Sequence, residues 1–294
     1  MNPLVVSCIG FPTNFPDWVR NCILLEHGAW YHAYWKKMLL YRWRQARLQQ
    51  RGIEHHLIVN TPEEQRLADR VGVRAKEISQ YVYCDEKIFR PMSVEKKFDA
   101  LYIAKSEAFK RHALAKDVAR LAILKSSGPD VADFCPEVSH ATANTEILEP
   151  QEVALFINQA HCTLALSAEE GGMFASFESL LCGIPVVSTP SRGGRDRFYT
   201  ETNSLISQPD SLSVRQAVDK FVHGGADGAN IRADAVARLE MLRCEYSNYI
   251  SEIASCGQDG RAQILDRLRS LNLDHLFCEA SQPSIPLSIR KLLV

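Results

Sequence analysis

The stretch that decides the fold is AEEGGMFASFESLLCGIPVVSTP, residues 168–190. It follows TLALS at 163–167, a short apolar run that is typical of a buried strand. FASFESLLCG at 174–183 is expected to form a helix of about ten residues, because Gly183 suits a carboxyl-terminal cap and the proline two residues later prevents the helix from continuing. The pattern therefore predicts a strand, the turn EEGGM, a helix and a further strand, IPVVS at 184–188.

Short apolar runs alternate with amphipathic stretches along the rest of the chain, and this alternation is typical of parallel α/β sheets. A proline and a charged run at 86–100 separate two such series, which predicts two Rossmann-like domains. Further strands are expected at 3–9, 56–60, 100–104 and 121–124, and helices at 106–119, 150–160, 211–222 and 263–277.

Composition narrows the function classes. The chain has 294 residues, 46% of them hydrophobic, and a formal net charge of -1, so it is expected to be globular and lacks the basic field that nucleic-acid binding demands. Its nine cysteines are scattered with no Cys-x-x-Cys pair, which favours free thiols in a reducing cytoplasm. No basic segment precedes the first apolar run and no apolar run reaches about 18 residues, so we expect a protein that is neither exported nor transmembrane.

Residues 30–52, WYHAYWKKMLLYRWRQARLQQRG, combine aromatic and basic side chains and contain no acid. Two interpretations are open. The segment could rest on an anionic membrane surface through Trp35, Leu39 and Trp43, which would place the protein at the inner face of a membrane. Alternatively it is a helix whose apolar stripe packs on its own sheet, the commoner behaviour of amphipathic helices.

The turn EEGGM places two carboxylates near a helix start. Ligands of open α/β sheets bind beyond the carboxyl ends of strands, and Gly171 and Gly172 would let a phosphate approach the backbone closely. Glu170 in the turn and Glu178 about one turn into the helix could then contact a sugar and a ribose, or both could be solvated acids stabilised by the helix dipole. Glycoside hydrolysis is disfavoured, because eight helical steps span about 12 Å whereas its paired carboxylates lie roughly 5 to 9.5 Å apart.

Four features together resemble the carboxyl-terminal half of the retaining GT-B glycosyltransferases of family 4, the group 1 transferases: Glu170 followed eight residues later by Glu178, a small-residue helix, Cys-Gly-Ile-Pro, and the pair Gly193-Gly194. FDALYIAKSEAFKRHALAKDV at 98–118 resembles the segment of that family that grips the donor diphosphate. The resemblance implies a donor site made of Lys105, Lys110, Gly171, Gly172, Met173, Phe174 and Glu178, with Arg111 and Arg195 as further candidates.

Within that site the resemblance implies that Glu170 orients hydroxyls of the donor sugar and that Glu178 binds the ribose. Lys105 stands where the family commonly has Arg, and a lysine neutralises phosphate without holding it bidentately. The lysines could instead be solvated cations at a helix start. Arg195 is an insertion relative to the family pattern and would contact the diphosphate or an acidic sugar, or would be an exposed loop arginine.

NCILLEHGAWYH at 21–32 resembles the acceptor-domain strand of the same family. The resemblance implies that His27 contacts the donor sugar and acts with Glu170 in catalysis, with His32 as a weaker substitute; a buried structural histidine is the alternative. His55 and His56 lack a metal-binding motif and are expected to be ordinary strand residues.

The resemblance implies an α/β, GT-B-like chain with a reduced acceptor-side Rossmann-like domain at 1–93, a donor-binding domain at 94–250 and a helical segment at 251–294 that packs back on the first domain. The implied function is retaining, metal-independent sugar transfer from a nucleoside-diphosphate sugar, without cofactor, to a glycan, lipid-linked or small-molecule acceptor. The short first domain leaves open an inactive nucleotide-sugar-binding subunit that completes or regulates a partner transferase, and with it a partner chain or a homo-oligomer. A nucleotide-sugar epimerase is a third possibility.

Overall fold

The computed structural model describes residues 4–10, 20–28, 30–125, 128–270 and 290–293. The chain divides into two compact units, one formed by Met1–Cys84 with Arg238–Val294 and the other by Asp85–Ala237. We call these the first unit and the second unit. The sequence placed the boundaries after residues 93 and 250, whereas the structure divides the chain after residues 84 and 237.

Each unit holds a sheet made mainly of parallel strands, so the expected α/β class is confirmed. The strands are β1 (Leu4–Ile9), β2 (Cys22–His27), β3 (Glu54–Val59), β4 (Ala75–Glu77), β5 (Phe98–Ile103), β6 (Leu121–Leu124), β7 (Thr142–Ala143), β8 (Ala160–Ala165), β9 (Glu169–Glu170), β10 (Val186–Ser188), β11 (Arg192–Gly193), β12 (Ser204–Ile206) and β13 (Arg290–Leu293). The α-helices are α1 (Trp35–Gln49), α2 (Pro62–Val71), α3 (Val131–Phe134), α4 (Pro150–Asn158), α5 (Phe174–Leu181), α6 (Ser211–Gly224), α7 (Gly228–Ile253) and α8 (Gln258–Arg269).

The sheet of the first unit has the order β13-β1-β2-β3-β4, with β13 antiparallel to β1 and the other pairs parallel. Helix α2 begins at a Thr61 side chain that accepts the N–H of Glu64, and ends at Gly72, whose φ of 71° favours glycine. One face of the sheet packs on α1 and α2 through an apolar cluster of Met38, Tyr41, Leu57, Val59, Ala68, Val71 and Val73. One part of the core of this unit therefore lies between its sheet and these two helices, and Val5, Leu25 and Ile58 are buried on the other face of the sheet.

The sheet of the second unit has the order β12-β10-β8-β5-β6-β7, and all its pairs are parallel. From β5 the chain proceeds outward to β6 and β7, then returns to the other side of β5 to form β8, β10 and β12. The strand order thus reverses between β5 and β8. In open α/β sheets such a point leaves a crevice beyond the carboxyl ends of the strands, where ligands bind.

Helix α5 ends as the sequence predicts. Gly183 has a φ of 73°, and a Cβ there would lie 2.6 Å from the carbonyl oxygen of Gly228, so glycine is required both by conformation and by close approach. The helices predicted at 150–160 and 211–222 are α4 and α6. Of the helix predicted at 263–277, the part up to residue 269 belongs to α8, and 271–277 lie outside the described residues.

The prediction of an amphipathic helix at 106–119 is wrong. The structure has two 3-10 turns there, Ala108–Lys110 and His112–Ala115, separated by Arg111 with a φ of 54°. The left-handed conformation at Arg111 interrupts any helix and turns Lys110 and Arg111 toward the neighbouring strand ends. In the described part of the chain, no helix is both long and apolar enough to cross a membrane.

Candidate functional site

A buried ion pair bridges the point where the second sheet reverses its strand order. Lys110 lies in the loop after β5 and Glu170 in the loop after β8, and the Lys110 ammonium pairs with the Glu170 carboxylate. Both side chains are largely removed from solvent, at 10% and 5% exposure. The Ser167 hydroxyl donates a further hydrogen bond of 2.9 Å to the same carboxylate. Opposite charges therefore face each other across the crevice between β5 and β8.

The backbone around Lys110 is fixed by two neighbouring side chains. The hydroxyl of Tyr102, buried in β5, donates to the Lys110 carbonyl at 2.5 Å. The Arg111 guanidinium donates from Nε to the Leu166 carbonyl at 2.5 Å and from Nη2 to the Thr189 hydroxyl at 2.7 Å. These contacts tie the loop after β5 to the carboxyl ends of β8 and β10.

The backbone conformation of Arg111 is energetically unfavourable. A left-handed φ at a residue with a Cβ is unfavourable by roughly 1–2 kcal/mol, and such residues concentrate at sites where the surrounding contacts enforce them. Burial, and then the nearby Arg195 charge, lowers the pKa of the Arg111 guanidinium. The strained loop after β5 therefore places the positive charge of Arg111 close to that of Arg195.

Arg195 is fully buried, so the alternative of an exposed loop arginine is wrong. Its Nη1 donates to the Ser167 carbonyl at 2.8 Å, its Nη2 donates to the Ser188 hydroxyl at 2.7 Å and to the Thr189 carbonyl at 2.5 Å, and its Nε donates to Asp196 at 2.6 Å. Every nitrogen of the guanidinium is engaged with protein. Arg195 therefore braces the ends of β8 and β10, and its contact with a diphosphate stays a prediction.

The turn between β8 and α5 is held against the loop after β10. Its two acids form the short strand β9, which pairs with β11, and the N–H of Gly194 donates to the Gly171 carbonyl at 2.7 Å. Met173 occupies the N-cap of α5 and its side chain makes no cap hydrogen bond, and the positive end of the helix dipole lies at this turn. Gly172 is buried in this turn and Phe174 is the first helical residue.

Glu178 lies one turn into α5 and is buried. Burial raises the pKa of its carboxyl to about 8, which keeps it mostly protonated at neutral pH. Among the residues that the structure describes, no side chain or backbone group forms a hydrogen bond or an ion pair with this carboxyl. A buried polar group without a protein partner is costly unless a ligand or water completes it.

Of the site residues expected from the sequence, Lys110, Arg111, Glu170 and Arg195 are brought together around the ends of β8 and β10. Lys105 lies half-buried just after β5, and its carbonyl accepts the N–H of Glu107 at 2.8 Å. Sequence reasoning missed the buried polar groups that connect these residues. They are the buried Tyr102, Ser167, Ser188 and Thr189 and the partly buried Asp196. The only sequence signal for the two serines and the threonine is that small polar residues follow the apolar runs.

His27 belongs to the first unit, at the end of β2. Its ring lies edge-on between Tyr83 and Tyr246, with centroid distances of 4.9 and 5.1 Å. Burial lowers the pKa of this imidazole to about 3, so it is neutral, and both ring nitrogens are buried without a hydrogen-bond partner in the described residues. Its role toward a sugar stays a prediction.

The other histidines that the structure describes in the first unit, His32, His55 and His56, are also buried. Burial, with the charge of Lys37, lowers the pKa of His32 to about 4. His55 lies in β3 as expected and its Nε2 is 3.0 Å from Glu26, a buried carboxylate that also accepts from Arg44. The described part of the chain contains no group of three or more His, Cys, Asp or Glu residues placed to hold a metal ion.

Neither a protein-family model nor a curated protein sequence matches this chain. Solved structures do match in fold. TarM of S. aureus aligns with a TM-score of 0.62 at 14% identity, over 83% of this chain and 54% of TarM. Sucrose-phosphate synthase of Thermosynechococcus elongatus aligns with a TM-score of 0.60 at 14% identity, over 79% of this chain and 74% of that one.

HepE of Anabaena, solved in complex with UDP-glucose, aligns with a TM-score of 0.62 at 12% identity, over 79% of this chain and 72% of HepE. The chain therefore spans about half the length of TarM and about three quarters of the other two. At these identities the similarity establishes the fold, which is that of the GT-B glycosyltransferases.

Proposed function

We propose that the protein is a glycosyltransferase that moves a sugar from a nucleoside-diphosphate sugar to a glycan, lipid-linked or small-molecule acceptor. The observation that carries the proposal is the buried Lys110–Glu170 pair at the strand-order reversal of the second sheet. This is the place where folds of this kind bind their ligands. The GT-B neighbours support the proposal, since HepE was solved with UDP-glucose and a pneumococcal O-GlcNAc transferase with UDP and GlcNAc.

In this proposal the donor diphosphate lies between the loop after β5 and the start of α5. Lys110 and Lys105 neutralise the phosphates, and the N–H groups of the first turn of α5 donate to them. Negative charge on the leaving diphosphate grows in the transition state, so fixed cations and N–H groups lower the barrier. Because Glu170 already supplies an anionic oxygen to Lys110, the entering phosphate shares or replaces that contact.

The remaining roles follow the chemistry of each side chain. Protonated Glu178 can donate one hydrogen bond to a ribose hydroxyl and accept another, which would satisfy a buried carboxyl that lacks a protein partner. Glu170 orients hydroxyls of the donor sugar, and neutral His27 is proposed to contact the sugar from the first unit. We propose retention of anomeric configuration by front-face attack, with the leaving phosphate helping to deprotonate the acceptor and without a divalent metal.

The first test is calorimetric titration of the purified chain with UDP-, GDP-, dTDP- and ADP-sugars. We expect selective binding of one nucleotide, weakened at least about tenfold in Lys110→Ala, because a charge-assisted contact to phosphate is lost. Glu178→Gln should weaken binding less, since an amide still donates and accepts hydrogen bonds. Lys116→Ala is the matched control, because Lys116 is an exposed lysine of the same segment. No binding to any of the four donors would contradict the proposal.

The second test separates an enzyme from a binding subunit. With the donor identified, sugar transfer to acceptor extracts is measured for the parent protein and for Glu170→Gln. We expect Glu170→Gln to keep nucleotide binding and to lose most transfer, because Glu170 is assigned to the sugar. Equal losses of binding and transfer would contradict that division of roles. Donor binding without transfer by the parent protein would favour the subunit, and isomerised free sugar without acceptor would favour an epimerase.

A further inference from the structure

Helix α1 of the first unit is fixed on its sheet by one face. Met38, Tyr41 and Leu48 are buried against the sheet and its neighbours, and the buried Gln45 amide donates to two backbone carbonyls. Arg44 adds two hydrogen bonds of 3.0 and 3.1 Å to the buried carboxylate of Glu26. Because these contacts determine the rotation of the helix, they also determine which side chains face outward.

The outward face of α1 is apolar. Trp35, Leu39 and Trp43 follow one another at four-residue intervals, so they form one stripe on the side opposite the buried residues. The two indoles are 54% and 56% exposed. The described chain has eleven large exposed hydrophobic side chains, and six of them fall within fourteen consecutive residues: Trp30, Tyr34, Trp35, Leu39, Leu40 and Trp43. Soluble proteins rarely expose such a concentration of apolar side chains without a binding role.

Helix α2, beside α1 on the same sheet, shows the ordinary arrangement. It buries Glu64, Ala68 and Val71, and its outward positions are Pro62 and four charged residues, Glu63, Arg66, Asp69 and Arg70. No large exposed hydrophobic side chain lies on it. The apolar outward face is therefore a property of α1 and not of the layer of helices to which it belongs.

The charges on α1 have a single sign. The helix carries five Lys or Arg residues and no acid. Lys36 and Arg47 lie among the outward apolar residues, and the Arg47 guanidinium is 4.7 Å from the Trp43 ring. Lys37 at one flank lies 5.0 Å from the Tyr34 ring. Apolar, aromatic and cationic groups thus share one surface that offers no negative charge to a partner.

We propose that this outward face of α1 docks on an anionic lipid surface. Tryptophan and tyrosine are the side chains that favour the boundary between headgroups and acyl chains, and lysine and arginine attract anionic headgroups. The charge of the face complements such a surface, and its apolar stripe can enter the lipid because the other face of the helix is already satisfied by the sheet. The inference concerns α1 alone and stands apart from the donor site.

The test is co-sedimentation of the full chain with phosphatidylcholine vesicles and with mixed phosphatidylcholine–phosphatidylglycerol vesicles. We expect binding to the mixed vesicles that weakens as salt rises, and a blue shift of the tryptophan emission, since three of the four tryptophans lie in residues 30–43. Trp35→Ser, Leu39→Ser and Trp43→Ser combined should weaken binding by at least about tenfold. Lys36→Gln with Arg47→Gln should weaken it about fivefold for each cation removed.

Arg66→Gln with Arg70→Gln on α2 is the matched control, because it removes two exposed cations from the neighbouring helix. The control should bind like the parent, and all variants should keep the parent melting temperature and donor titration because the changed side chains are exposed. Absence of binding to the mixed vesicles would overturn the proposal, as would equal losses in the α1 and α2 charge variants. A dimer in sedimentation velocity that becomes monomeric in the triple serine variant, with no vesicle binding, would assign the face to a second copy instead.

Discussion

The two sheets of the molecule differ in how their strands are ordered. In the second unit the chain reverses direction across the sheet between β5 and β8, whereas the described parallel strands of the first unit, β1 to β4, follow one another in chain order. In the first unit each loop can contact the next: the Asn60 amide donates to the Gly28 carbonyl at 3.0 Å and accepts the N–H of Gln80 at 3.0 Å. In the second unit the chain leaves β5 and β8 toward opposite sides of the sheet, and charged side chains lie at the carboxyl ends of these two strands.

The polar groups at the two sheets differ accordingly. The buried histidine at the end of β2 is neutral and surrounded by tyrosines, whereas the loops after β5, β8 and β10 bring Lys110, Glu170 and Arg195 together in a buried cluster. In the first unit the buried Glu26 carboxylate lies within β2 and pairs with Arg44, whereas the strand-order reversal of the second unit places its buried charges at the carboxyl ends of the strands. The following variants test that contrast.

The largest effect is expected from Arg195→Ala. Removing a buried guanidinium leaves two backbone carbonyls, a hydroxyl and the Asp196 carboxylate without their donors, and breaking such an arrangement costs about 3–5 kcal/mol. We expect the free energy of unfolding of the second unit to fall by this amount, measured by hydrogen exchange of amides in β8 and β10. Arg197→Ala, an exposed arginine two residues away, should change it by less than about 1 kcal/mol. Similar effects of the two changes would mean that Arg195 is not the brace of these loops.

The second largest effect is a pH dependence of the free energy of unfolding, caused by Glu178. Its pKa is about 8 in the folded chain and 4.5 ordinarily, so between these values the carboxyl is protonated when folded and ionised when unfolded. The unfolded state therefore binds fewer protons, and stability falls as pH rises through this range, by up to about 1.4 kcal/mol per pH unit. Glu178→Gln should remove this fall in the free energy of unfolding, measured by denaturant unfolding at a series of pH values. Parallel pH profiles of parent and variant would show that Glu178 is ionised in the folded protein.

His27 should give a slope of the opposite sign. Its pKa is about 3 in the folded chain and 6.5 ordinarily, so the unfolded state binds more protons between these values. Stability from the neutral ring is complete above about pH 6.5 and is lost as pH falls toward 3. His27→Leu should flatten the acid side of the profile and leave the range above pH 6.5 parallel to the parent. An unchanged acid limb would mean that His27 can be protonated without cost.

The sequence predicted the parts of the fold that local patterns determine. Apolar runs identified six of the parallel strands, namely β1, β3, β5, β6, β8 and β10, and Gly183 identified the end of α5. The sequence did not predict what distant contacts determine. In the sequence Arg195 has the pattern of an exposed loop residue, because its partners at the ends of β8 and β10 are distant along the chain. The interruption of the helix at Arg111 likewise depends on the carbonyl of Leu166 and the hydroxyl of Thr189. Residues 30–52 supported two interpretations because α1 has both a packed and an exposed apolar face.

The smallest effect isolates the backbone strain at Arg111. Arg111→Ala and Arg111→Gly both remove the guanidinium contacts, but only alanine must hold a Cβ at a φ of 54°. We expect the glycine variant to be more stable than the alanine variant by about 0.5–1 kcal/mol, after the greater freedom of glycine in the unfolded chain is subtracted. Ala113→Gly, at an exposed position in the next 3-10 turn, should have the opposite sign and lower stability. If the glycine variant were no more stable than the alanine variant, the left-handed backbone at residue 111 would carry no strain. The loop that directs Lys110 toward Glu170 would then keep this shape without help from the neighbouring strand ends.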